Sequence, residues 1–153
     1  MQRQALAFGT LLLLTGCAHG TALGCVESPS DRAEIERTVH AMYDALRADD
    51  AEAFKHVTTA TFYSYDGGER YDGTALVDLI RDAHASGTRI TWSLGPMDTK
   101  RQCDVAWSVW ENIGSVGKPP ELKPVRWLES AVLVREGRRW KIDFFHSHRA
   151  TAK

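Results

Sequence analysis

The sequence predicts an α+β domain, with helices in its first half laid against a mostly antiparallel sheet formed by its second half. Three observations carry this. Two stretches, Asp31 to Ala48 and Ala75 to His84, repeat apolar residues at helical spacing. From Arg89 onward the chain reads as strand and turn. It closes on Arg138 to His148, a single strand pattern entered from the charged turn Glu136-Gly137-Arg138.

The first helix is predicted over about Asp31–Ala48, capped by Ser28 or Ser30, with Asp31 and Glu34 at its positive end. Ile35, Val39, Met42 and Leu46 make one apolar face, and Tyr43 flanks it where its hydroxyl can reach a cavity. Asp49-Asp50 ends this helix and caps a short one, about Ala51–Val57, with Phe54 and Val57 inward. Thr61–Tyr65 is rich in β-formers, and Asp66-Gly67-Gly68 turns the chain. Gly73-Thr74 starts a third helix whose apolar side is Leu76, Val77, Ile80 and Ala83, and Ser86-Gly87 ends it.

Ile90, Trp92 and Leu94 alternate along the next strand; Asp98–Gln102 reads as a polar turn and Gly114–Leu122 as a Gly/Pro loop. Long strands are predicted over Cys103–Ile113 and Val125–Arg135, and with the closing strand they can form a meander. On the closing strand Trp140, Ile142, Phe144, His146 and His148 share one parity, apolar first and then imidazole. That is the pattern of a core strand running into a cavity. The long strands carry apolar groups on both parities. One face meets the helices; the other, with Trp110, Leu128, Val132 and Phe145 as candidates, is more apolar than a solvated face and points to a sheet-to-sheet homodimer.

The N-terminus is set apart from the domain. Arg3 precedes the apolar run Ala5–Leu14, which at about ten residues is too short to span a bilayer of roughly 30 Å. Leu14-Thr15-Gly16-Cys17 follows and resembles the lipobox of bacterial lipoproteins, which implies a leader over residues 1–16 and acylation of Cys17; the alternative is a secretory peptide cut near Ala18 to Ala22. Ala18, where an Asp would favour inner-membrane retention in such proteins, implies the outer membrane, facing the periplasm. Residues 17–30 form a tether and residues 31–150 one domain. An oxidising compartment permits a disulfide between Cys25 and Cys103; the alternative is two free thiols.

Lys and Arg total 19 against 20 Asp and Glu, interspersed, so no basic stripe suggests nucleic acid. Asp66-Gly67-Gly68 lacks the spacing and Lys of a phosphate loop. No cofactor and no metal site is expected: His146 and His148 alone fall short of the ligand set of structural zinc.

Three features resemble the NTF2-like superfamily and, within it, the SnoaL-like and DUF4440-type domains. They are the opening helix with the Ala48-Asp49-Asp50-Ala51 corner and Phe54, the link from Asp66-Gly67-Gly68 to Gly73, and the ending Gly137-Arg138-Arg139-Trp140-Lys141-Ile142 through His146. The resemblance implies a curved sheet wrapped around three helices as a cone, with a pocket inside and dimerisation across the outer sheet face. It also implies functions ranging from isomerases, cyclases and dehydratases to oligomerisation modules.

On that frame the expected inward polar groups are Tyr43, Tyr63, Glu129, His146 and His148, with Trp107 and Trp127 as apolar walls. Where the DUF4440-type ending has a Ser two residues after the His, this chain has His148. His146, aided by Glu129 and Tyr63, would be the acid/base of an enzyme acting on a carbonyl compound. Each also has a structural reading, as a group consumed by core hydrogen bonds. The preferred function is an envelope lipoprotein that binds a small apolar ligand or mediates dimerisation or protein interaction. The alternative is a small ketosteroid-isomerase-like isomerase, cyclase or dehydratase.

Overall fold

The computed structural model describes residues 28–150. The leader, Cys17, Cys25 and most of the tether lie outside the described residues. No helix of the described residues is long and apolar enough to cross a membrane.

Helix α1 (Pro29–Arg47) begins at a capping box: the Ser28 side chain accepts from the first turn, and the Asp31 carboxylate accepts from the Ser28 amide at 3.1 Å. Its face of Ile35, Val39, Met42 and Leu46 is buried, as the spacing predicts. Helix α2 (Ala51–Val57) is capped by Asp50, which accepts from the Glu52 and Ala53 amides. Strand β1 (Thr58–Asp66), β2 (Glu69–Asp72) and helix α3 (Ala75–Ala85) follow. Then come β3 (Arg89–Leu94), β4 (Asp98–Gln102), β5 (Val105–Lys118), β6 (Glu121–Glu136) and β7 (Arg139–Arg149).

The strands form one curved sheet in the order β2-β1-β7-β6-β5-β3, with β4 also on β5. All pairings are antiparallel except β1 with β7. The β5-β6-β7 meander is as expected. The helices pack on the concave face, giving the expected α+β cone.

Three segments differ from the sequence reading. Glu69–Asp72, read only as part of the link from Asp66-Gly67-Gly68 to Gly73, and Asp98–Gln102, read as a polar turn, are short edge strands; their exposed polar residues hide the strand pattern. The Gly114–Leu122 stretch continues β5 and β6 around Pro119-Pro120. Its glycines sit there because the neighbouring backbone is close: a Cβ on Gly114 would lie 1.8 Å from the Thr91 carbonyl oxygen, and one on Gly117 would lie 2.1 Å from that of Glu121.

The closing strand holds the most consequential difference. Leu133 pairs with Ile142 but Val132 pairs with Phe144, so Asp143 is an extra residue, a β-bulge. The Thr59 and Thr61 hydroxyls hold its carboxylate at 2.6 and 3.0 Å. A one-residue insertion reverses the side-chain parity beyond it. Trp140 and Ile142 therefore face the core, and so do Phe145 and Ser147, while Phe144, His146 and His148 face outward.

Candidate functional site: a cavity closed by a buried carboxylate

The mouth of the cone opens into a cavity of about 500 Å³ between α1, α3 and the concave sheet face. Its walls include Leu46, Leu76, Ile80 and Ala83 from the helices, and Trp92, Trp127 and Phe145 from the sheet.

One row of residues crosses the concave face at the level of the cavity. Asp66 on β1 lies beside Ser147 on β7, Ser147 opposite Glu129 on β6, and Glu129 opposite Trp110 on β5. Glu129 is only 5 % exposed. Its Oε2 accepts from Trp110 Nε1 at 2.6 Å and Asn112 Nδ2 at 3.0 Å, and its Oε1 accepts from Ser147 Oγ at 3.2 Å. Burial pushes its carboxyl above the usual range despite these donors. Tyr43 brings its hydroxyl to the same place from α1. That hydroxyl is buried without a well-formed hydrogen bond. Burial and the Glu129 charge beside it push the phenol well up, so it stays protonated. Asp66, at the rim, is also raised by burial, against the pull of Arg149 and His146.

The predicted site residues divide between two faces. Glu129, Tyr43 and Trp127 line the cavity. His146, Tyr63, His148 and Trp107 do not. His146 lies opposite Ser130 and His148 opposite the exposed Leu128, on the convex face, with their rings stacked 6.5 Å apart. Tyr63 packs on Phe144 of the same face, and Trp107 is 40 % exposed. The expected convergence of His146, Glu129 and Tyr63 therefore does not occur: the Asp143 bulge turns His146 away, and β1 turns Phe62 and Ser64 inward instead of Tyr63.

On β5 the parity is the reverse of the expected one, with Ala106, Ser108, Trp110 and Asn112 inward. Trp110 and Phe145, expected on the outer face, stack on each other inside. Among the described residues no group of three or more His, Cys, Asp or Glu side chains is placed to hold a metal ion. Cys103 is disulfide-bonded, and both other cysteines of the chain, Cys17 and Cys25, lie outside the described residues.

Sequence reading misses Asp66 and Ser147 in the cavity lining and Asn112 as a donor to Glu129. Asp66 reads as turn, yet it shares parity with the buried Phe62 and Ser64, and that parity is the available signal. Asn112 and Ser147 carry no comparable signal: Asn112 shares its parity with Ser108, and Ser147 shares its parity in sequence with Lys141 and Asp143. Two carboxyls with raised affinity for protons on one wall can accept or hold a proton nearer neutrality than free carboxylates do.

The family model described as "SnoaL-like domain" matches residues 35–149. No curated protein matches the chain. Among solved structures, a dehydratase candidate of the NTF2-like family from Streptomyces avermitilis is similar, with TM-score 0.68 and 16 % identity over 80 % of this chain and 98 % of that one. A ketosteroid isomerase-like protein from Erwinia carotovora atroseptica gives 0.65 and 14 % over 82 % and 100 %. The CaMKII hub of S. rosetta gives 0.65 and 18 % over 82 % and 100 %. These likenesses carry the fold and no activity. With the family model spanning nearly the whole described domain, the chain belongs to the SnoaL-like family of the NTF2-like fold.

Proposed function

We propose that the cone is a binding cavity for a small, largely apolar molecule with one polar group, which docks against Glu129. One observation carries this: a cavity of about 500 Å³ with apolar walls and a buried carboxylate at its floor. That volume is within the range of roughly 300–1,000 Å³ usual for ligand pockets. A fluorescent apolar probe such as N-phenyl-1-naphthylamine is expected to bind the purified domain. Ala83→Trp, which fills the cavity from α3, is expected to abolish that binding with the circular dichroism spectrum unchanged. Equal binding by wild type and variant would place the probe elsewhere and remove the proposal. The alternative of an isomerase, cyclase or dehydratase built on His146 is not carried forward, because His146 faces away from the cavity.

The domain is held at the cell envelope, at the outer membrane facing the periplasm, by acylated Cys17, and Cys25 bonds to Cys103. The leader's resemblance to a lipobox and the bonded state of Cys103 support this. Cys17→Ala is expected to abolish palmitate labelling in cells, and peptide mapping without reductant is expected to recover Cys25 joined to Cys103. Unchanged labelling would dispose of the anchor.

The convex face supports self-association. Val105, Trp107, Val109, Ile113 and Leu128 are each 40–59 % exposed on adjacent strands. A dimer across this face is expected to become monomeric in Leu128→Lys, measured by light scattering at micromolar concentration. A wild-type monomer at the same concentration would refute it.

A further inference from the structure

We propose that the ligand of this cavity carries a protonated amine, held with its ammonium group against Glu129 and Asp66 and its apolar body between the aromatic walls. This rests on the cavity-binding reading above and names its ligand class.

Hydrogen-bonding capacity argues for a donor. The Trp110, Asn112 and Ser147 donors nearest the floor already serve Glu129. What Glu129 leaves for a ligand is therefore acceptor lone pairs. The Tyr43 hydroxyl, on a residue 1 % exposed, lies beside this carboxylate and makes no well-formed hydrogen bond, so it does not use up those lone pairs. An ammonium group is donor-only and matches this set.

Charge argues the same way. Asp66, Glu69 and Glu129 line the cavity, against a single cation among the described lining residues, Arg149 at the rim. An anionic ligand would add like charge to a partly desolvated wall; a cation offsets it. Burial raises the proton affinity of both Asp66 and Glu129, and a cation beside them would favour their charged forms.

The walls suit a cation as well. Tyr43, Tyr71, Trp92, Trp127 and Phe145 all line the cavity, and aromatic faces attract cations. Two of these rings already do so: the Arg47 guanidinium lies 6.0 Å from the centroids of both Tyr43 and Trp92.

The test uses three probes of one shape, 4-phenylbutylamine, 4-phenylbutan-1-ol and 4-phenylbutanoate, titrated calorimetrically into the disulfide-intact domain at neutral pH. The amine is expected to bind about tenfold or more tighter than the alcohol, the size of one charge-assisted hydrogen bond. Glu129→Gln, and separately Asp66→Asn at the rim, are expected to weaken the amine more than the alcohol and so to reduce that preference. If the alcohol or the carboxylate binds as tightly as the amine, at a site lost in Ala83→Trp, the amine assignment fails and the cavity-binding reading survives. If none of the three binds, both fail.

Discussion

Glu129→Leu is expected to lower the unfolding free energy by roughly 2–6 kcal/mol, because it leaves the Trp110 indole N–H and the Asn112 amide buried without an acceptor, at about 1–3 kcal/mol each. Glu129→Gln is expected to fold normally, since its amide oxygen can take over both bonds. The two variants differ in a second way, through pH. The Glu129 carboxyl is raised above its ordinary 4.5 chiefly by burial. Between that value and the folded-state value the native protein holds the proton and the unfolded chain does not, so this group makes stability fall as pH rises through the window. Asp66 adds a slope of the same sign, from its own raised carboxyl. Glu129→Gln mimics the protonated acid at every pH and removes Glu129's share. Its denaturant midpoint should decline less than that of wild type as pH rises from mildly acidic to neutral. Parallel wild-type and Glu129→Gln profiles would mean that Glu129 ionises in the fold without cost, contrary to a carboxyl raised by burial at the cavity floor.

Asp31→Ala is expected to cost about 3 kcal/mol, the lower end of what breaking a buried ion pair costs. Asp31 is 3 % exposed and binds at once to three parts of the chain. One oxygen takes Arg135 Nη2 of β6 at 2.6 Å; the other takes Arg101 Nη1 of β4 at 2.5 Å and the Ser28 amide at 3.1 Å. The variant therefore loses a helix cap and the counter-charge for two arginines whose side chains are themselves only 11 % and 22 % exposed. The Arg135 hydrogen bond, foremost, lowers the Asp31 carboxyl below its ordinary 3.8. The sign is thus opposite to that of Glu129. Asp31 contributes stability that is fully present above the unfolded value and lost as pH falls through the lowered one. Urea unfolding of wild type and Asp31→Ala should differ at neutral pH and converge below it. A difference under about 1 kcal/mol at neutral pH would mean that water, not Asp31, solvates the arginines.

Together the two carboxylates bracket the protein's pH response. Acid is expected to weaken the α1-to-sheet junction through Asp31, and rising pH to load the cavity floor through Glu129. Both effects come from single carboxylates placed by α1 and β6, and neither involves the histidines that stand out in the sequence.

Much of the architecture was legible from local chemistry. The α1 face of Ile35, Val39, Met42 and Leu46, the Asp50 cap of α2, and the β5-β6-β7 meander follow from spacing, capping residues and turn residues, all of which act over a few positions along the chain. The NTF2-like frame was readable from the order of these elements together with the ending through His146. Glu129, Tyr43 and Trp127 were legible as cavity residues for the same reason: no irregularity intervenes between the features that define their parity and the residues themselves.

The face presented by the rest was decided only in the tertiary structure. Strand parity propagates from a reference residue until something adds or removes one position. Asp143 does so in β7, held by Thr59 and Thr61 from a strand more than 80 residues away in sequence. Nothing in Phe144-Phe145-His146 announces it, because either parity reads as a core face. On β5 the outward Val105, Trp107, Val109 and Ile113 are more apolar than the inward Ser108 and Asn112, so hydropathy selects the wrong side. The inner face can be polar there because Ser108 bonds Thr99 and Asn112 bonds Glu129. The sequence by itself determined the elements and their order; long-range pairing decided which residues meet, since a bulge and a buried hydrogen-bond cluster are properties of strands brought together and not of any one strand.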